Sequence, residues 1–296
     1  MSWGTMVSDQ TVKRELDRAA VRRPVTSHPT NLGACMQNLG RHIYGLGAIF
    51  IGVTGILWDK FAAGWMPPPA DLPGYAALAY LVGALLVIGG ILINLPRLEA
   101  WGAALLAAVF AVGMILLDVT RLATHPLEFG YWESSAEQFV IVACGAIAFA
   151  MSANMNPQLS SRIQQVARIV VALSLLIFGA SHFVYFKYSQ TFVPAYLPPS
   201  QAFWVALTGA AAIAAGLAIL SGILALLAAR LLTLMYVIFG VLVHAPFVWG
   251  DPTNHGKWIE NDVNLIIIGC AWIVADSLSA RKPVVRADAK REAVHA

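Results

Sequence analysis

The sequence predicts an all-α polytopic membrane protein whose eight transmembrane helices form two parallel four-helix repeats. Three observations lead there. Of 296 residues, 58% are hydrophobic and only 12% charged, against about 25% charged in ordinary soluble domains, and the mean hydropathy is +0.69. Apolar stretches able to cross roughly 30 Å of hydrocarbon recur between residues 42 and 279, with nearly every charge between them. The two halves also match in register, since Pro126, Gly130, Trp132 and Cys144 return 126 positions later as Pro252, Gly256, Trp258 and Cys270.

Residues 1–40 are polar and basic, with Lys13, Arg14, Arg18, Arg22 and Arg23. They lack the apolar centre of a signal peptide and read as a cytoplasmic tail. Thr11 to Arg23 has the charge pattern of a short helix but little to bury, so a mobile tail is the simpler expectation. Residues 41–154 hold the first repeat, with apolar spans at His42–Trp58, Tyr75–Leu95, Trp101–Asp118 and Ala136–Asn154. Residues 168–279 hold the second, with spans at Arg168–Tyr185, Ala202–Leu220, Leu224–Pro246 and Val263–Leu278. Between them, residues 154–168 read as a polar loop, and residues 280–296 as a second basic tail.

The openings of the repeats share an outline as well: Gly52, Lys60 and Pro67 match Gly179, Lys187 and Pro194. Four helices per copy is an even number, so both copies insert the same way round, about a pseudo-two-fold axis along the membrane normal. Small residues (Gly83, Gly89 and Gly90 in the second span, Gly209 to Gly216 in the sixth) mark helices that pack closely where lipid offers no hydrophobic drive.

Lys and Arg resist export, so their distribution sets the orientation. With the amino terminus inside, inner segments hold 15 of the 19 Lys and Arg, and outer segments only Lys60, Arg121, Lys187 and Lys257. Both termini are therefore expected in the cytoplasm and the chain in the inner (plasma) membrane. The net charge of +3 then reflects basic ends beside anionic lipid, not nucleic-acid binding. Cys35, Cys144 and Cys270 form no CxxC, and the latter two read as small packing residues within helices.

Polar groups gather at the outer end of the second repeat. His182 and His244 end outward-running helices, and Asn264 lies near the start of the last one. Tyr185, Trp258 and Glu260 lie close by in sequence, as do His255, Asn261 and Asp262. Ionisable groups inside a span are costly and so become candidates for function. The competing reading is an interfacial belt of Trp, Tyr, His and Lys, and it weighs most for Trp58, Trp132, Trp249 and Trp258. The matching first-repeat residues are Gly55 for His182, Asp118 for His244 and Gln138 for Asn264, a weaker set on this reading.

Three chemistries suit such a cluster. A quinone ring needs an apolar slot with hydrogen-bond partners at its carbonyls and a proton carrier, which His182, His244 and Asn264 offer. Two histidines can hold a haem iron axially. A metal set of His182, His244, His255 and Glu260 has no tight spacing to support it. The sequence has no nucleotide-binding loop, nucleophile elbow or HExxH, and no residue is assigned a catalytic role.

From Arg168 to Asp276 the chain resembles the DoxX-like membrane family. The resemblance rests on Gly179 and His182 near the end of one helix, Pro194 to Pro199 in the loop, and Gly209 to Gly216 in the next helix. Arg230 and His244 then start and end a third helix, and Asn264 lies near the start of the fourth. Many members carry a glutamate in the second helix, where this chain has only small and aliphatic residues. The resemblance implies a four-helix unit and a quinone-linked redox role, as an enzyme or as a subunit beside a redox partner or a second copy. The alternative is a non-enzymatic scaffold of a respiratory complex. A solute carrier would need midplane polar groups, which are scarce here.

Overall fold

The computed structural model describes residues 38–280 except 63, 65–67 and 70; of the two expected tails all but residues 38–40, where α1 already begins at Leu39, and residue 280 lie outside the described residues, as do the stretch Thr11 to Arg23 and the Pro67 match. Eight helices are long and apolar enough to cross a membrane: α1 Leu39–Trp58, α2 Tyr75–Leu92, α3 Glu99–Thr124, α4 Phe129–Ser152, α5 Pro157–Val184, α6 Gln201–Ser221, α7 Ala225–Gly250 and α8 His255–Ser279. The described residues contain no strand. The protein is an all-α polytopic membrane protein.

Several helices run beyond their apolar stretches. The polar loop expected at 154–168 is mostly the first turns of α5, because the Asn156 side chain caps that helix by accepting from Gln158 N and Leu159 N, with Pro157 at its first position. Likewise α8 starts at His255, where Asn254 accepts from Lys257 N, and α4 starts at Phe129. At α5 and α8 side-chain caps outside the hydrocarbon-length run set these ends, so hydropathy alone places them too late.

Each helix packs on its neighbours in the chain, α1 also packs on α8, and α4 and α8 touch across the middle. The first helix of each copy thus packs against the fourth helix of the other, α1 on α8 and α5 on α4, which interlocks the repeats. At the centre the equivalent cysteines meet, Cys144 Sγ donating to Cys270 O at 3.5 Å. Tyr44, fully buried, reaches from α1 to α4 and donates to Ile141 O at 3.0 Å, a contact worth about 1 kcal/mol.

Glycines set the closest approaches. A Cβ at Gly52 would lie 2.5 Å from Gly83 O on α2, and one at the matching Gly179 would lie 2.7 Å from Gly209 O on α6. Both copies also contain a π-helical turn in the third helix, Met114–Val119 and Gly240–His244, starting at matched positions. In each, the fourth-helix Trp indole donates to a loop proline carbonyl at 2.9 Å, Trp132 to Pro126 and Trp258 to Pro252.

Candidate functional site at the π turn of α7

A π turn inserts an extra residue into an α-helix and re-aims the side chains around it, which is why such turns often mark functional positions. In α7 it spans Gly240–His244. Gly240 leaves room for α8, since a Cβ there would lie 2.9 Å from Asn264 Nδ2. Asn264, 7% exposed, uses that room to donate to Tyr236 O at 3.3 Å. His244 closes the turn with its Nδ1 buried and without a hydrogen-bond partner among the described residues. A buried unpaired polar atom costs about 1–3 kcal/mol. Two of the sequence-predicted residues, His244 and Asn264, therefore border one turn.

The other four go elsewhere. His182 Nδ1 donates to Phe178 O of its own helix at 2.8 Å. This fixes the tautomer, because a carbonyl can only accept, and Nε2 becomes the acceptor of the neutral ring. The His182 Cβ lies against α6, 2.7 Å from where a Cβ of Gly209 would be. Trp258 spends its N–H on Pro252 O, and its ring lies 6.2 Å from that of Trp58. Glu260 is exposed and near enough to Glu133 and Glu137 of α4 for their charges to interact. Tyr185 turns towards the start of α4, its ring 6.0 Å from that of Phe129.

Repeat symmetry places Asp118 and Gln138 where the second copy has His244 and Asn264. Asp118 lies in the π turn of α3, and both residues are fully buried. Ser134 donates to Asp118 Oδ1 at 3.5 Å, and Gln138 Nε2 to Glu137 Oε1 at 3.3 Å. The first copy, weaker on the sequence reading, therefore encloses Asp118 and Gln138 more fully than the second encloses His244. Asp262, also fully buried, accepts from Thr54 of α1 at 2.5 Å and from Asn261 at 3.2 Å.

Sequence reasoning missed the Thr54–Asp262 bond and the Cys144–Cys270 contact. Repeat symmetry held a signal for the second, because residues matched across a two-fold axis can meet on it. Nothing in the spacing of Thr54 and Asp262 points to the first. Among the described residues, no three His, Cys, Asp or Glu side chains stand together as a metal-binding group.

A family model described as a domain of unknown function (DUF8561) matches residues 171–274. That span runs from within α5 to within α8, the extent of the second repeat. No curated protein and no solved structure matches the chain.

Proposed function

We propose that this is a DoxX-like inner-membrane protein that binds a quinone-class ring beside the π turn of α7, at the outer leaflet, in quinone-linked redox work alone or with a redox partner. The observation that carries this reading is the buried, unpartnered Nδ1 of His244, on the turn that Asn264 also borders. A carbonyl-bearing apolar ligand answers such a group, because it supplies a hydrogen-bond partner without bringing charge into the membrane.

On this reading His244 donates to one ring carbonyl, and Asn264 orients the ring from α8. His182, with Nε2 left as the acceptor, is a second proton partner at the same end of the bundle. The quinone, when bound, supplies two-electron, two-proton chemistry. The histidines would hold and pass the protons. The positive-inside distribution supports cytoplasmic termini and an outward-facing site.

The test is a lipid extract and an absorption spectrum of purified wild-type protein beside the double variant His182→Ala, His244→Ala. Quinone that accompanies the wild type and is lost from a folded variant is the expected result. A folded variant retaining the same quinone, or wild type that neither carries nor takes up quinone, rejects the site and favours the scaffold alternative.

A further inference from the structure

The end of the first helix of each repeat meets the start of the fourth helix of the other, and the two junctions have diverged. At one, Trp58 lies 5.7 Å from His255 and 6.2 Å from Trp258, ring to ring, in an aromatic set that carries a basic residue within it. Lys60 is close enough for its charge to act on His255, and Lys257 pairs with Asp251 at 3.4 Å. At the other, Tyr185 holds the position equivalent to Trp58. There an open cleft of about 380 Å³ is lined by Glu128, Phe129, Gly130, Tyr131 and Tyr185.

This second junction has the composition of a cation receptor. Three aromatic rings border the cleft with one carboxylate. Among the described residues Tyr131 has one face stacked on His125 at 4.9 Å, the other two rings are not so covered by a basic residue, and no ion pair to Glu128 exists. Ring faces attract cations through their quadrupoles, most effectively alkylated ammonium groups that shed water cheaply. Glu128 is the N-cap residue of α4, and its side chain makes no capping bond. The carboxylate's full negative charge exceeds the positive charge of about one half at the helix end beside it. Gly130 keeps the space open, because a Cβ there would lie 3.3 Å from the Tyr185 hydroxyl. The volume falls within the range of small-ligand sites, roughly 300–1,000 Å³.

We infer that the Tyr185–Phe129–Tyr131–Glu128 cleft binds an organic ammonium group, either a free amine or a zwitterionic lipid headgroup. The site is separate from the π turn of α7, so it stands whether or not a quinone binds there.

Ligand-detected NMR on the full-length protein in maltoside detergent tests it, with choline as probe and 3,3-dimethylbutan-1-ol as its uncharged isostere. Choline should bind at least ten-fold more tightly than the isostere. Tyr185→Leu and Glu128→Gln should each weaken choline binding ten-fold or more, while Tyr185→Phe, which keeps a ring, and Trp58→Leu, at the other junction, should leave it within two-fold. Wild-type elution of each variant shows that it is folded. Equal binding of choline and the isostere, no choline binding, or wild-type binding by Tyr185→Leu overturns the inference. Native mass spectrometry from nanodiscs of phosphatidylethanolamine and phosphatidylglycerol separates the sources. Retained phosphatidylethanolamine that Tyr185→Leu loses identifies a lipid headgroup, and choline binding without retained lipid identifies a free ammonium.

Discussion

The two π turns begin at matched positions and are furnished differently. In the first repeat, Asp118 and Gln138 are fully buried, within a set that includes Ser134 and Glu137. In the second, the turn ends at His244, which is partly exposed and has an unpaired Nδ1, while Asn264 is already bonded to Tyr236 O. Buried polar groups are normally paired, so on the proposed reading the first copy's turn supports the fold and the second offers His244 to a ligand, a division that duplication would allow.

Seven substitutions, six of them in matched pairs, sharpen the contrast, from the largest expected effect to the smallest. On the side where α1 meets α8, Gly269 faces the backbone of Tyr44, whereas the matched position on α4 holds Ala143, which is buried. Gly269→Val should therefore cost about 3 kcal/mol or more and leave little folded protein, while Ala143→Val should survive purification. Comparable losses would mean that the two seams are equally tight. Next, Thr54→Val removes the hydroxyl that Asp262 accepts from and should cost about 2 kcal/mol. The matched hydroxyl of Ser181 bonds only within its own helix, to Phe178 O, so Ser181→Ala should cost less than about 1 kcal/mol. Thermal melts in detergent decide both comparisons.

Trp258→Phe and Trp132→Phe each remove an indole donor from a proline carbonyl. Both should cost about 1 kcal/mol, and nearly the same amount. A much larger penalty at Trp258 would mean that it does more than clamp its loop. The smallest expected loss is at His244→Phe. Removing a buried nitrogen that has no partner relieves a penalty of about 1–3 kcal/mol, offset in part by fitting a carbon ring in its place, so stability should hold or rise.

The fold was legible because its two signals are robust. Hydrocarbon-length apolar runs located all eight spans, and rare residues such as Trp132/Trp258 and Cys144/Cys270 revealed the repeat, whose matched hydrogen bonds the structure contains. Helix ends were less legible, since Asn156 and Asn254 cap α5 and α8 within polar sequence that hydropathy reads as loop. The candidate site was legible only as residue types. These singled out His244 and Asn264, which border the π turn of α7, but the direction of a side chain depends on helix rotation and on which helix lies opposite. The nearness of Tyr185 to Phe129 was therefore not readable, because the interlock of α5 with α4 leaves no trace in its local sequence. The π turns were invisible for a similar reason, as an extra residue in a helix changes no composition.

The most direct test of the division between the copies is bound quinone per chain, measured after reconstitution with excess ubiquinone, for wild type, His244→Phe and Asp118→Asn. The account expects one equivalent in wild type and in folded Asp118→Asn, and none in equally stable His244→Phe. Quinone retained by His244→Phe, or lost equally from both variants, would contradict it.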